Sequence, residues 1–189
     1  MSLSILWLIF FYGWFALEIY VAVATRTRRS SGNVLDRGTL RLLWAVIASS
    51  ITACIWISAV KGQTMPGAPE VYRIASLSLL ILALVLRWAA IFTLGKSFSA
   101  NVAIHSTQTV MKTGLYGWMR HPSYTGLLMC FLAIGLHYRN WVSLLIIVAG
   151  PTAALLYRIH VEEGALREHF GQEYVEYCRE TKRLIPGIY

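Results

Sequence analysis

The sequence predicts an all-α integral membrane protein with about five transmembrane helices. Three observations carry that expectation. First, of 189 residues 57% are apolar and only 14% charged, with a mean hydropathy of +0.56. A soluble domain carries about 25% charge, and a chain this apolar cannot hide its side chains in one small core and still keep a polar skin. That excludes a soluble enzyme, a disordered chain and a secreted disulfide scaffold. Second, apolar runs recur near the length of about 20 residues that a helix needs to cross about 30 Å of hydrocarbon. Third, Lys and Arg number 17 against 9 acids, a net charge of +8, and they are spread unevenly around those runs. In a soluble protein this excess would suggest nucleic acid. Here it fits basic loops facing an anionic leaflet, and no nucleic-acid partner is expected.

Residues 3–24 form the first run. It ends in Ala22-Val23-Ala24, which looks like a signal-peptidase site. No basic residue precedes it and its apolar stretch is too long for a signal peptide, so it reads as a permanent span. Residues 40–60 are the second run and 71–94 the third, with Arg87 inside it. Residues 127–136 and 142–156 are shorter and separated by His137-Tyr138-Arg139-Asn140, which makes them antiparallel neighbours in a hairpin over 122–157. Pro151, following Gly150, should kink the second arm. With the N-terminus outside, the inner segments hold 13 of the Lys and Arg residues and the outer ones hold 3. That split places the C-terminus in the cytoplasm.

The polar residues then gather on the cytoplasmic side, in a loop over 95–121 and a tail over 158–189 that carries six of the nine acids. Phe98 to His105 reads as an extended ribbon. Glu168 to Thr181 reads as a C-terminal amphipathic helix with Phe170, Tyr174 and Tyr177 on one stripe. Cys54, Cys130 and Cys178 have neither zinc-site nor disulfide-framework spacing and are expected to be free thiols, and no metal site is expected. Glu18 and Arg87 each lie eight residues from the cytoplasmic end of their run, about 12 Å deep at 1.5 Å per residue. Charge in hydrocarbon is costly unless paired or wet. Equal depth permits an ion pair; the alternatives are a snorkelling Arg87 or residues lining a cavity.

Two motifs could carry chemistry. In Arg120-His121-Pro122-Ser123-Tyr124-Thr125-Gly126, Pro122 falls where a helix should begin, which is a position that suits proline. His121 is then the cap, and Tyr124 lies along the same edge. The free amide groups of a helix start suit an anionic group. The other reading is an interfacial anchor of Arg, His, Trp and Tyr at headgroup depth. In Arg158-Ile159-His160-Val161-Glu162-Glu163, Arg158 and Glu162 share a helix face. They are either an interfacial ion pair or part of a site shared with His121 and Tyr124. No phosphate loop or dinucleotide fingerprint is present.

With these motifs the sequence resembles the isoprenylcysteine carboxyl methyltransferase family, over roughly residues 90–189. The resemblance runs through Leu94-Gly95-Lys96-Ser97-Phe98-Ser99, Gly114-Leu115-Tyr116, the Arg120-to-Gly126 block and Glu162-Glu163. It continues through Phe170-Gly171-Gln172-Glu173-Tyr174-Val175-Glu176-Tyr177 and ends at Arg183-Leu184-Ile185-Pro186. It implies a membrane methyltransferase using S-adenosyl-L-methionine. The long loop would be a cytoplasmic cofactor-binding loop, and residues 95–189 a catalytic region behind three N-terminal helices over 1–94. In that family a residue shortly before the glycine block, often His, helps bind the cofactor. The comparable stretch here is Gln108-Thr109-Val110-Met111, and Gln108 departs from the pattern. Tyr116, His121, Pro122, Ser123, Tyr124 and Glu162 carry over as cofactor residues, and Arg158 as the residue near the methyl acceptor. The implied acceptor is a lipophilic small molecule or prenylated substrate entering from the bilayer. The implied membrane is the cytoplasmic one in a prokaryote and the endoplasmic reticulum in a eukaryote. Open alternatives are a phospholipid N-methyltransferase, an NADPH-dependent sterol reductase-like enzyme, which usually carries Asn where Ser123 stands, and a non-enzymatic scaffold.

Overall fold

The computed structural model describes residues 2–25, 33–34, 38–60, 62–100, 103–104 and 109–189. Six helices dominate: α1 (Leu3–Ala24), α2 (Thr39–Ser58), α3 (Pro69–Leu94), α4 (Pro122–Tyr138), α5 (Trp141–Phe170) and α6 (Gln172–Glu180). Two short strands, β1 (Asn33–Val34) and β2 (Ala103–Ile104), pair antiparallel with Asn33 opposite Ile104. This ladder ties the α1–α2 connection to the α3–α4 connection. β2 lies inside the stretch expected to be extended. β1 was not foreseen, because two residues in a polar segment carry no periodicity.

The protein is an integral membrane protein. α1, α2, α3 and α5 are each long and apolar enough to cross a bilayer. α4, with 17 residues, is about 25 Å long and falls short of the hydrocarbon thickness. Its surroundings explain how it is accommodated. Leu127, Cys130, Phe131, Ala133 and Ile134 are buried, and α4 packs along α3 on one side and α5 on the other. A helix enclosed by protein need not match the bilayer itself. The five expected spans thus become four of spanning length and one shorter, enclosed helix.

Close backbone approach holds the bundle. A Cβ on Gly126 would lie 2.9 Å from the Arg87 backbone nitrogen and 3.0 Å from the Ala83 carbonyl oxygen. α3 and α4 therefore touch backbone to backbone, and any larger residue there must push them apart. At Gly150 of α5 the close neighbour is a side chain of α2 instead: the Ser50 Oγ would be 2.7 Å from an added Cβ. The α4–α5 connection is two residues rather than four, because His137 and Tyr138 continue α4. Arg139 takes the left-handed conformation (φ 52°). Asn140 then caps α5, its Oδ1 accepting from the Val142 and Ser143 amides at 3.0 Å each.

α5 continues as a helix through Pro151. With 30 residues it is about 45 Å long, so its C-terminal turns stand beyond the hydrocarbon. The helix expected over 168–181 is corrected here. Glu168–Phe170 complete α5, Gly171 (φ 56°) breaks it, and a separate α6 starts at Gln172. Hydrophobic periodicity cannot register a one-residue break, whereas a glycine at positive φ makes one cheaply. Cys54, Cys130 and Cys178 are free. Glu18 and Arg87 do pair: Arg87 Nε and Nη2 each donate to a different oxygen of the Glu18 carboxylate, which joins α1 to α3 within the apolar layer.

Candidate functional site

Where α4 begins and α5 leaves the hydrocarbon, the helices enclose a cavity of about 1460 Å³ including its open mouth. Its lining is of two chemical kinds. Tyr116, Arg120, His121, Tyr124, Arg158 and Glu162 supply polar groups; Phe15 and Val21 of α1, Leu43, Trp44 and Ile47 of α2, and Leu127 supply apolar ones.

The polar lining is built at the start of α4. Pro122 occupies the first helical position and His121 the cap, whose side chain makes no capping hydrogen bond. The His121 ring instead stacks on Tyr124, with centroids 5.4 Å apart and planes 8° from parallel. The Tyr124 hydroxyl links the two sequence motifs. It donates to Glu162 Oε2 at 2.7 Å and accepts from Arg158 Nε at 3.0 Å. Arg158 is only 2% exposed. It also donates from Nη1 to Thr39 Oγ1 at 2.8 Å and from Nη2 to the Ala100 carbonyl. A single guanidinium thus ties α2, α4, α5 and the loop after α3 together. His121 and Ser123 are buried, so this block is turned inward; of the expected interfacial anchors, Trp118 is exposed.

Thr109, Val110, Met111, Tyr116, His121, Ser123, Tyr124, Arg158 and Glu162 all line the cavity. Pro122 is buried and shapes the helix start without lining it. Gln108 lies outside the described residues, as does His105 of the expected ribbon. Glu18 and Arg87 reach it too, the cavity-lining alternative named for them, although they also pair. Arg120, Tyr174 and Tyr177, which were not assigned to a site, line it as well. For Tyr174 and Tyr177 the stripe on the predicted amphipathic helix was the available signal, but its target was not.

Glu163, rather than Glu162, is the hub of a second network. It is 1% exposed. It accepts from Arg120 Nε at 2.9 Å, Arg183 Nη2 at 3.0 Å and Arg167 Nη2 at 3.3 Å. Burial would push its carboxyl up, but His121, Arg183 and Arg120 outweigh that and hold it well below the usual carboxylate range. Its hydrogen bonds push the Arg183 guanidinium up in turn. The tail is sewn on beside this hub: the Arg120 and His121 amides donate to the carbonyls of Lys182 and Arg183 at 2.8 and 2.9 Å. Thr125 Oγ1 donates to the Leu184 carbonyl at 2.7 Å. Burial raises the phenols of Tyr116 and Tyr177, the latter to about 12, so both stay neutral hydrogen-bond donors. Tyr177 uses its proton on the Tyr116 carbonyl at 2.6 Å.

A helical membrane bundle around a cavity lined by both polar groups and apolar side chains defines the class: an integral membrane protein with a pocket of mixed polarity. Comparison with known proteins narrows it. Residues 76–168 match the model of the isoprenylcysteine carboxyl methyltransferase (ICMT) family. The chain is 38% identical over 112 residues to the protein-S-isoprenylcysteine O-methyltransferase of Saccharomyces cerevisiae, covering 58% of this chain and 47% of that one. It is 35% identical over 133 residues to the Homo sapiens enzyme of that name, covering 64% and 45%. To protein-S-isoprenylcysteine O-methyltransferase B of Arabidopsis thaliana it is 31% identical over 127 residues, covering 65% and 64%. A solved structure of the eukaryotic intramembrane Ras methyltransferase ICMT superposes with a TM-score of 0.62 at 25% identity, over 77% of this chain and 52% of that one. The chain is thus similar to the isoprenylcysteine carboxyl methyltransferase family over about half of its length. It spans between about half and just under two thirds of the length of these curated relatives.

Proposed function

We propose that the protein is a methyltransferase that uses S-adenosyl-L-methionine to methylate the carboxylate of a lipophilic, isoprenylcysteine-type acceptor. The observation that carries this reading is the Tyr124 hydroxyl, bonded to both Glu162 and Arg158, in a cavity that polar and apolar side chains line together. The relatives' names supply the acceptor class; the geometry is compatible with it.

The residues present fit the cofactor. The His121 Nε2 atom is buried without a hydrogen-bond partner among the described residues, although Glu163 Oε1 lies 3.5 Å away. It is a polar atom suited to a ligand. The aromatic faces of Tyr116, His121 and Tyr124 suit a purine or a sulfonium, and Glu162 suits an ammonium or ribose hydroxyl. When bound, S-adenosyl-L-methionine supplies an electrophilic methyl group on a sulfonium. A carboxylate acceptor is already ionised at neutral pH, so no residue needs to act as a strong base. Arg158 is the residue to orient that carboxylate, since a guanidinium can hold it by two hydrogen bonds. Tyr124 holds Arg158 and Glu162 in fixed relation, and the buried surroundings exclude water. The apolar side chains that α1 and α2 bring to the cavity receive the acceptor's apolar chain. On this reading residues 95–189 supply most of the cofactor site, and the helices of 1–94 supply the acceptor's wall. The uneven spread of Lys and Arg along the sequence supports an orientation with the C-terminus on the cytoplasmic side and the N-terminus outside. In a eukaryote the family resemblance implies the endoplasmic reticulum.

The test is radiolabelled methyl transfer by purified protein to a panel of prenylcysteine carboxylates, amine lipids and other lipophilic acids, with calorimetry of S-adenosylhomocysteine and NADPH alongside. Transfer to prenylcysteine, yielding a base-labile methyl ester, is expected. Transfer to amine lipids alone would replace it with the N-methyltransferase reading. Binding of NADPH without S-adenosylhomocysteine would remove both.

A further inference from the structure

The Glu18–Arg87 pair takes no part in the chemistry above, yet both side chains line the cavity. Glu18 lies in α1, outside residues 76–168 that match the family model. The pair is mostly shielded, with side-chain exposures of 7% for Arg87 and 11% for Glu18. Its acid is itself held, since Trp14 Nε1 donates to Glu18 Oε1 at 3.1 Å. Two of the three Arg87 nitrogens go to Glu18. The third, Nη1, donates to Ser123 Oγ at 2.8 Å and to the Ser123 carbonyl at 3.0 Å. Ser123 stands between His121 and Tyr124, in a first helical turn that no capping side chain fixes. A helix start without such a cap depends on outside partners for its pose. The tail carbonyl of Arg183 holds it from one side, at the His121 amide, and Arg87 holds it from the other.

We infer that Glu18 and Arg87 are positioning residues: the acid of α1 orients the arginine of α3, and the arginine sets the first turn of α4, and with it the rings of His121 and Tyr124. Net charge alone would not do this. The guanidinium is planar and fork-shaped, so it can face a carboxylate along one edge and Ser123 with its remaining nitrogen. A lysine can hold the charge but cannot hold both partners at once. That the turn then holds a cofactor rests on the proposed function; that the pair poses the turn does not.

The experiment uses the full chain in detergent, with the variants R87K and E18D. R87K keeps the charge without the fork; E18D keeps the acid and shortens its reach. Amide hydrogen exchange without any ligand is read by mass spectrometry for peptides covering residues 118–126, with peptides of α2 and α5 as internal references. Faster exchange by about tenfold confined to 118–126, with the melting temperature unchanged, is the expected result, on the scale of one charge-assisted hydrogen bond. In the same variants the Kd for S-adenosylhomocysteine should rise about tenfold. If the wild type binds no S-adenosylhomocysteine but exchange at 118–126 still rises in both variants, the positioning role stands and the methyltransferase reading falls. Exchange at 118–126 that matches wild type in both variants overturns the inference. A uniform rise across all helices, with a lower melting temperature, overturns it equally, since that is what a purely structural pair would produce.

Discussion

One phenolic oxygen, on Tyr124, joins the motif at the start of α4 to the motif at the end of α5. Replacing Tyr124 by Phe keeps the ring and its stacking on His121 but leaves Arg158 Nε and Glu162 Oε2 without that partner. The expected outcome is a fall in turnover of about tenfold or more, the scale of a hydrogen bond to charged groups, measured by methyl transfer with S-adenosylhomocysteine affinity alongside. Glu163 differs in kind. Its partners are Arg120, Arg167 and Arg183, so it holds the tail against the site. Glu163→Gln strands buried guanidinium charge. It should destabilise by about 3 kcal/mol, the low end for a broken buried pair because Arg167 and Arg183 are partly solvated. Because its carboxyl is held below its ordinary value of 4.5, the unfolded chain binds the proton more readily. The stabilisation is therefore complete above that value and is lost as pH falls below it. Thermal melts in detergent from pH 7 to pH 3 check this. The wild-type melting temperature should drop on acidification, and the Gln variant should show a smaller drop.

Between elements, the α3–α4 contact is set by an absent side chain. Gly126 lets the α4 backbone rest on Arg87 and Ala83, which also brings Ser123 within reach of Arg87. Gly126→Ala would insert a methyl group against backbone atoms that have nowhere to go. It should cost about 1–3 kcal/mol as an overpacked contact and weaken cofactor binding with it, since the same displacement moves the first turn of α4. A melting curve and a binding isotherm on one preparation check both. Unchanged values would mean that the two helices separate freely there. The hairpin is likewise set by local chemistry. Arg139 in the left-handed region turns the chain, and Asn140 caps the next helix, so α4 returns directly into α5 and the start of one arm lies beside the end of the other.

For the molecule as a whole, the ion pair across α1 and α3 makes the N-terminal helix part of the bundle's electrostatics. Glu18→Gln and Arg87→Met should each destabilise by about 3–5 kcal/mol, because each strands a charge within the apolar layer. The double variant should recover most of that loss. A double-mutant cycle of melting free energies measures the coupling; strictly additive losses would show that the two side chains act independently.

The sequence by itself determined the class of the protein and most of its ordered elements. Twenty-residue apolar runs admit few states in a bilayer, because an unpaired backbone there is too costly to leave outside a helix. Pro122 marks the start of an element by a rule that acts within a few residues. The motif blocks placed His121, Tyr124, Arg158 and Glu162, and equal depth in two helices brought Glu18 and Arg87 to one level before any packing was known. Periodicity missed the two-residue ladder and the break at Gly171, since neither lasts long enough to leave a pattern. What only the tertiary structure decided is which neighbours meet. Glu162 and Glu163 are adjacent in the chain and both acidic, yet successive helical residues point about 100° apart. One therefore faces the cavity and Tyr124, while the other faces the tail and its three arginines. No property of the residues themselves distinguishes the two; the packing of α4, α5 and the tail around them does.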